Sequence, residues 1–166
     1  MSWLTECAGI ISKQEQPVSW ITPLELPVVQ HYRLISKYQI KTLNQTVVLH
    51  HDNDILPVSP QRQRAAFPPN FVHSLDATHM MSTSLECAQN GLTFSSVHDS
   101  YWTHPGDVDR MNALLRDQFI DLYNRPILQD LRESFVLRYP TAEFPPLPQL
   151  GELNLEEVRT SPYFFN

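Results

Sequence analysis

The chain has 166 residues, of which 42% are hydrophobic and 18% charged, and its net charge is −6. This length and composition exclude wholesale disorder and suffice for one sizeable core, while the negative charge argues against a free-standing basic nucleic-acid binder. No apolar run approaches the roughly 20 residues that span a bilayer, and two cysteines are too few for a disulfide framework. We therefore expect reduced thiols in an intracellular compartment.

The first third of the chain predicts one helix followed by strands. Apolar residues recur at helical spacing near the start, at Trp3, Leu4, Cys7, Ile10 and Ile11. A strand is predicted at 18–22. An extended run from Pro27, rich in β-branched and aromatic residues, predicts two strands or more. The polar residues 52–54 are expected to close this run as a turn.

The segment VSPQRQRAAFPPNF, residues 58–71, is predicted to be a loop because it contains three prolines. It carries Arg62 and Arg64, which form the only compact basic spot in the sequence. A phosphate contact and a plain surface position are both open for these two arginines.

The second half of the chain predicts helices around a hairpin. A helix runs from Ser74 to about residue 90, and Gly91 ends it in left-handed geometry. The stretch GLTFSSVHDSYWTHP then reads as a strand, a tight polar corner and a second strand. A helix capped by Asp107 and a helix at about 127–138 follow, before a proline-rich stretch and SPYFFN. The order indicates an α+β fold, with helices on one side of antiparallel strands.

The corner of the hairpin places His98 beside Asp99. We expect Asp99 where the two strands end, open to its surroundings, and such a carboxylate suits Mg²⁺, which prefers oxygen donors and shares them with phosphates. The alternative is a turn-forming role, because aspartate side chains bond nearby backbone amides. No second acid adjoins Asp99, since Ser100 follows it.

A wider pattern resembles the C-terminal part of single-subunit, bacteriophage-type DNA-directed RNA polymerases, with the mitochondrial and plastid enzymes most similar. The resemblance runs from Trp3 to Asn166, and its motifs are VSWITPLELPVVQHYR, FPPNFVHSLDATHMM, VHDSYWTH, NRPILQDL and SPYFFN. NFVHS at this distance before HDS is highly specific, whereas HDS alone is weak. The resemblance implies two parts: a β-rich end of a fingers-side segment at 1–72, and a C-terminal palm segment with the hairpin at 73–166.

The resemblance implies that Asp99 is a catalytic ligand of Mg²⁺ in a two-metal site that transfers nucleotides to the RNA 3′-hydroxyl. Family members carry another metal-binding aspartate, and a lysine and a tyrosine for the incoming nucleotide, in regions upstream of the one matched. This chain has no counterparts of them. We therefore expect a fragment that is inactive alone.

The implied partners are the DNA template, the nascent RNA, ribonucleoside triphosphates and the missing N-terminal part of the polymerase, with organellar transcription factors as further candidates. No membrane partner is expected. The implied location is the mitochondrion, with the plastid as the alternative.

Three further residues receive nucleic-acid roles through the resemblance. His73 and Ser74 are predicted to begin the helix before the hairpin and to bind nucleic acid, and the histidine is implied to reach the minor groove of the RNA–DNA hybrid. The alternative for His73 is a structural hydrogen bond to Asp76. For His98, a structural hydrogen bond and a contact to the nascent RNA are both open.

The spacing of His73, Asp76 and His79 is also compatible with metal binding. Residues at i, i+3 and i+6 fan out around a helix, however, and no cysteine pair accompanies them, so we do not expect zinc there. The neighbouring pair His50–His51 is expected to lie in a solvated turn.

In the polymerase family the extreme C-terminus folds back near the active centre. The resemblance extends this role to Tyr163, Phe164, Phe165 and Asn166. The alternative is that these aromatic side chains dock in the core.

The sequence departs from the family pattern near one turn. Glu25 and His31 stand where relatives usually show glycine and proline, which puts the turn from Pro23 to Pro27 in question.

Two other functions compete with transcription. Bacterial repair-type DNA polymerases also have an HD hairpin, but they generally follow the aspartate with glutamate, so Ser100 and NFVHS favour RNA polymerase. A non-catalytic palm remnant, acting as a structural or interaction module, is the alternative from another class.

Overall fold

A computed structural model describes residues 1–51 and 56–164, with the backbone alone at residues 50 and 51. The helices are α1 (Ser2–Lys13), α2 (Pro60–Gln89), α3 (Val108–Tyr123) and α4 (Ile127–Arg138), with 3₁₀ turns at Pro105–Asp107 and Leu155–Arg159. The strands are β1 (Ser19–Ile21), β2 (Pro27–Val29), β3 (Ser36–Lys41), β4 (Thr46–His51), β5 (Ser95–Val97) and β6 (Ser100–Trp102). Among these helices, none is long and apolar enough to cross a membrane.

The six strands form three separate antiparallel hairpins, β1–β2, β3–β4 and β5–β6. In register, Ser19 pairs with Val29, Ser36 with His51 and Ser95 with Trp102. Together with the four helices, they confirm the predicted α+β class and the strands expected after Pro27. The predicted turn at 52–54 lies outside the described residues. The preceding histidine pair is expected in a turn, but its backbone forms the end of β4, and its side chains lie outside the described residues.

The main core forms where α1, α2, α4 and β1 meet. Trp20 contacts Phe67 at a ring-centroid distance of 5.3 Å, and Phe67 contacts Phe135 at 6.1 Å. The predicted apolar stripe of α1 packs into this core, because Leu4, Cys7 and Ile11 are buried there. Burial raises the pKa of the Cys7 thiol to about 12, with a smaller contribution from Glu6, so the thiol stays protonated at neutral pH.

A second, smaller core supports the β5–β6 hairpin. It consists of buried Cys87, Leu92 and Met111, with the rings of Phe94 and Tyr101 packed against it. These residues come from the end of α2, the start of the hairpin segment and the first turns of α3. The base of the hairpin therefore packs against both of the helices that flank it in sequence, α2 and α3.

The predicted loop at residues 58–71 is wrong. Helix α2 begins at Pro60 and continues through Pro68 and Pro69. Pro60 suits a first helical turn, whose amides lack partners in any case. The internal prolines remove the amides that would bond to Arg64 and Ala65, but both of those residues are exposed, so water can hydrate their carbonyls.

Packing explains why α2 tolerates its prolines. Phe67, Phe71 and Leu75 are all buried in the main core and recur at helical spacing. Burying a large apolar side chain contributes roughly 1.5–3 kcal/mol, and three such residues on one face offset a penalty of about 3 kcal/mol for each of the two internal prolines. The helix also runs through position 72/73, the predicted boundary between the two parts of the chain.

The end of α2 confirms the role predicted for Gly91. Its φ is +69°, which is left-handed, and the Leu92 amide donates to the Cys87 carbonyl at 2.8 Å. The Gly91 amide donates to the Ala88 carbonyl at 3.1 Å. These two bonds define a Schellman motif, in which the contact of Leu92 with Cys87 begins the second core.

Helices α3 and α4 follow the predicted positions. Asp107 occupies the N-cap of α3, but its carboxylate accepts from the Arg110 guanidinium at 3.2 Å instead of from a backbone amide. The bounds of α4, Ile127–Arg138, match the predicted range, and Pro126 separates it from α3.

A buried amide network joins α2 to the β1–β2 hairpin. The Gln63 side chain is fully buried, and its Oε1 accepts from the Val18 amide at 3.2 Å and from the Gln30 Nε2 at 2.9 Å. Its Nε2 donates to the Gln30 carbonyl at 2.8 Å. Asn70, two turns later on α2, donates to the Gln30 Oε1 at 2.8 Å. The network fixes β2 along the first half of α2.

The turn between β1 and β2 forms despite its departure from the family pattern. The Thr22 amide donates to the Leu26 carbonyl at 2.9 Å, and the Glu25 amide donates to the Thr22 carbonyl at 2.8 Å. Glu25 has a φ of +63°, a conformation that favours glycine. The turn is thus retained, with a strained residue where relatives usually have glycine.

We expect Glu25→Gly to raise the free energy of unfolding above that of Glu25→Ala by about 1 kcal/mol, because only glycine avoids the clash of a Cβ in left-handed backbone. Urea unfolding followed by tryptophan fluorescence measures the difference, since Trp3 and Trp20 are buried. Equal stabilities of the two variants would show that the turn is not strained.

Candidate metal-binding hairpin and groove

The β5–β6 hairpin presents Asp99 as sequence analysis predicts. His98 and Asp99 are the two turn residues between the paired Val97 and Ser100, and both turn residues are exposed. No hydrogen bond or ion pair from any described residue engages the Asp99 carboxylate. The carboxylate stands at the open end of the ladder, available to an external ligand.

The backbone at His98 favours a sharp corner. His98 has a φ of +55°, in the left-handed region that favours glycine at the first position of a two-residue hairpin loop. Histidine adopts this conformation more often than most residues, yet it still costs free energy. Asp99 therefore sits directly after a strained residue, supported by the pairing of Val97 with Ser100 on either side.

The base of the hairpin is held by packing and by one side-chain bond. Phe94 and Tyr101 lie on the inner face with their ring centroids 5.3 Å apart, whereas Val97 and Trp102 are more than half exposed. The Thr103 hydroxyl donates to the Thr93 carbonyl at 2.7 Å. Burial alternates along residues 92–97, and this pattern leaves the tip clear of the core.

Asp76 links α2 electrostatically to the hairpin. Burial raises the pKa of Tyr101, and the carboxylates of Asp76 and Asp99 raise it further. Burial also raises the pKa of Tyr123 on α3, with Asp76 again adding to the effect. The charge of Asp76 thus acts on a tyrosine of the hairpin and on a tyrosine of α3. The sequence pattern indicates Asp76 only as a partner for His73 or zinc, because the effect of Asp76 on Tyr101 depends on tertiary packing.

Asp99 fits one position of a magnesium site. Mg²⁺ takes six oxygen ligands in octahedral geometry and usually keeps several waters, so a single exposed carboxylate can supply only part of its shell. Within residues 1–51 and 56–164, no three His, Cys, Asp or Glu side chains come close enough to bind a metal together. The remaining ligands must come from water, phosphate or another chain segment.

His73 and Ser74 lie in the middle of α2, so the prediction that they begin a helix is wrong. They border a groove of about 390 Å³ between α2 and the β1–β2 hairpin, which His31, Tyr32 and Asn70 also line. His73 is exposed. The Ser74 hydroxyl accepts from the Trp20 Nε1 at 2.9 Å and donates to the Phe71 carbonyl at 2.7 Å, so it stabilises the groove wall.

His79 is buried between α2 and α3, unlike exposed His73. Its Nε2 lies 2.8 Å from the Leu115 carbonyl, and since a carbonyl only accepts, Nε2 carries the proton. The ring meets the edge of Phe119 at 5.6 Å. Desolvation lowers the pKa of His79, although the Leu115 carbonyl and Asp76 oppose this effect. The neutral imidazole therefore serves as a structural donor that joins the two helices.

The lowered pKa of His79 gives a pH-dependent stability. Because the folded-state pKa lies below the ordinary value of 6.5, the unfolded chain binds protons more readily. We expect the free energy of unfolding to be maintained above about pH 6.5 and to fall at lower pH. His79→Gln, which keeps a donor but does not titrate, should flatten this dependence in urea titrations between pH 7 and 5. His73→Gln is the matched control, and an equal flattening by it would contradict the assignment.

Arg62 and Arg64 do not form the compact basic spot that was predicted. They lie two residues apart on α2, about 200° around its axis. Arg62 donates to the Arg33 carbonyl at 3.2 Å and lies over the Tyr32 ring at 5.1 Å. Arg64 lies instead against Gly9 of α1. Both residues are exposed, so a phosphate contact by either one stays a prediction.

In the described part of the C-terminal tail, one aromatic side chain is exposed to solvent and the next packs against α3. Tyr163 is 87% exposed, so the alternative that it docks in the core is wrong. Phe164 does dock, with its ring centroid 5.0 Å from that of Phe119. Phe165 and Asn166 lie outside the described residues.

A helix-backed antiparallel hairpin that presents an unengaged carboxylate at its tip suits the class of metal-dependent nucleotidyltransferases. The profile of the family described as DNA-dependent RNA polymerase matches residues 1–144. The chain belongs to this family of single-subunit, phage-type polymerases, and the resemblance stated from its motifs is confirmed.

Several relatives are plant organellar polymerases. Over all of its 166 residues the chain is 55% identical to DNA-directed RNA polymerase 1, mitochondrial, of Nicotiana sylvestris, and the aligned region covers 16% of that protein. The chain is 54% identical to DNA-directed RNA polymerase 2A of Nicotiana tabacum, covering 49% of it. It is 53% identical to DNA-directed RNA polymerase 3B, chloroplastic, of the same species, covering 17% of it. The chain thus spans half or less of each relative.

Proposed function

We propose that this chain is the part of a DNA-directed RNA polymerase that supplies one carboxylate ligand of the catalytic metal, Asp99. The observation that carries the proposal is the position of this carboxylate, exposed and unengaged at the tip of the β5–β6 hairpin. A turn-forming aspartate would bond nearby backbone amides, but no such bond engages Asp99 among the described residues. Membership of the polymerase family supports the same role.

The hairpin contributes by positioning. Two strands and the second core hold Asp99, so its carboxylate is placed before any ligand arrives. Bound Mg²⁺ would supply charge neutralisation for nucleotidyl transfer to the RNA 3′-hydroxyl. His98, the other turn residue, is the proposed contact to the nascent RNA beside the metal ligand. Its left-handed φ fixes the corner that separates the two side chains.

The groove along α2 is the proposed site for the RNA–DNA hybrid. His73 is exposed there, and a histidine in a minor groove can sense paired geometry without reading sequence strongly. Ser74 holds the groove wall through Trp20. Arg62 and Arg64 are the candidates for phosphate contacts from opposite sides of α2. With a net charge of −6, the chain needs most of its nucleic-acid attraction to come from the remainder of the polymerase.

The proposed partners are the DNA template, the nascent RNA, ribonucleoside triphosphates and the N-terminal remainder of the enzyme, with organellar transcription factors as further partners. Exposed apolar side chains support the need for a polypeptide partner. Tyr38, Ile40 and Leu49 on the β3–β4 hairpin and Trp102 on β6 are each about half exposed or more. The names of the relatives favour a mitochondrial location, with the plastid as the alternative.

A chimeric polymerase tests the proposal. Its design replaces the matching segment of the Nicotiana sylvestris mitochondrial enzyme with these 166 residues, which are 55% identical to it. We expect Mg²⁺-dependent extension of an RNA primer on a DNA template, within about tenfold of the parent enzyme, because substitutions away from the site have small effects. The isolated chain should bind no nucleotide productively and show no extension. A folded but inactive chimera, or turnover by the isolated chain, would overturn the proposal.

A further inference from the structure

One guanidinium group on α3 makes three of the contacts that hold the C-terminal tail. The Arg116 Nη1 donates to two backbone carbonyls of the tail, those of Val158 and, at 2.8 Å, Ser161. The same guanidinium lies over the Phe164 ring, 5.3 Å from its centroid. Arg116 is half-buried, so these contacts are partly shielded from water. Three separate points of the tail thus converge on one side chain.

A neighbouring ion pair also holds this tail segment on α3, but with the positive charge on the tail. Here the tail supplies the cation: Arg159 pairs with Asp117, the residue after Arg116 on α3, and with Glu156 at 2.7 Å. These groups are 43–59% exposed, so solvent screens them and the pair contributes little by itself. Arg116, with its backbone acceptors, is the stronger of the two ties.

The tail packs against α3, the helix that also supports the hairpin through the second core. Phe164 packs against Phe119, which contacts Tyr123 at 4.6 Å and the His79 ring at 5.6 Å. His79 bonds to the Leu115 carbonyl, one turn before Phe119. Asp76, one turn before His79 on α2, is the carboxylate that influences both Tyr123 and Tyr101. Helix α3 also carries Met111, which is buried in the second core beneath the hairpin, so packed side chains of α3 connect the tail to the base of the hairpin.

We infer that Arg116 is a positioning residue that fixes the C-terminal tail on α3 and thereby the support of the Asp99 hairpin. Its part in catalysis rests on the proposed function, whereas its part in holding the tail does not. Arginine suits the task because its guanidinium donates in its plane while its flat face covers an aromatic ring. Lysine can donate to the two carbonyls but lacks that flat face.

The hold on the tail is tested by digestion of the chimeric polymerase with a carboxypeptidase. We expect Arg116→Gln to release the last residues about tenfold faster than the unsubstituted chimera, because two charge-assisted bonds are lost. Arg116→Lys should give an intermediate rate. Arg110→Gln is the matched control, since Arg110 lies on the same helix and contacts Asp107 and the Asn90 carbonyl instead of the tail. Equal release from all three variants would overturn the inference.

Steady-state kinetics separate positioning from mere loss of structure. We expect Arg116→Gln to lower kcat about tenfold while KM for the ribonucleoside triphosphates changes by less than about twofold, with partial rescue by Arg116→Lys. Unchanged kcat beside faster release would remove the catalytic part of the inference. Activity retained by an Asp99→Ala chimera would instead remove the proposed function, without affecting the release rates.

Discussion

Asp99→Asn in the chimeric polymerase is expected to lower RNA extension about a thousandfold while binding of the RNA–DNA scaffold stays within about twofold. Asparagine has nearly the same shape but lacks the negative charge, and Mg²⁺ binds carboxylates far better than amides. Since phosphoryl transfer depends on positioning and charge neutralisation, loss of one metal ligand acts mainly on the transition state. Single-turnover extension and scaffold titration by fluorescence anisotropy measure the two quantities.

The matched control for this prediction is Asp109→Asn. Asp109 is an exposed acid in the first turn of α3, so its loss removes the same charge without touching the hairpin. A second measurement uses Fe²⁺ in place of Mg²⁺ with peroxide, which cleaves the polypeptide close to the bound metal. Cleavage near residue 99 should disappear in Asp99→Asn and persist in Asp109→Asn. Normal extension by Asp99→Asn would exclude Asp99 from the metal site.

Gln63→Leu is expected to lower the free energy of unfolding by about 3 kcal/mol. Leucine fills a similar volume, but it leaves the Val18 amide and the Gln30 carbonyl and side chain without their partner in a buried setting. Each buried polar group that loses its partner costs about 1–3 kcal/mol, and the apolar gain of leucine offsets only part of the total. For a chain of this size the melting temperature should fall by roughly 6–12 °C.

Gln61→Leu provides the control for the amide network. Gln61 is exposed two residues earlier on α2, so the same substitution there should change stability by less than about 0.5 kcal/mol. A double-mutant cycle with Gln30→Leu sharpens the test. Once Gln63 is absent, removing the Gln30 side chain should cost less than it does in the intact network. Additive effects would show that the two amides do not act together.

Local signals in the sequence predict the hairpin and its neighbourhood. Gly91 marks the end of α2 because few other residues adopt its φ of +69°, and Pro126 marks the start of α4 because it cannot continue α3. Alternating side chains before His98 and Asp99 predict an exposed carboxylate, which the structure has. Each of these features is decided within a few residues, and this is why the sequence suffices for them.

Features decided by distant contacts escape sequence analysis. Three prolines predict a loop at 58–71, yet burial of Phe67 and Phe71 against Trp20 overrides that local preference. Arg62 and Arg64 look like one basic spot only while the segment is taken as a loop. Gln63 and Arg116 carry no signal at all, because most of their partners are backbone groups far away in sequence, and any residue type supplies those.

Because α2 is one continuous helix, its number of residues constrains the site as much as its side chains do. The helix is 30 residues and about 45 Å long, and it carries His73 in its middle and the Schellman motif at its end. Adding or deleting one residue between these points would rotate the groove by about 100° relative to Asp99 and shift it by about 1.5 Å. Substitutions along α2 should therefore be tolerated far more readily than insertions or deletions of residues.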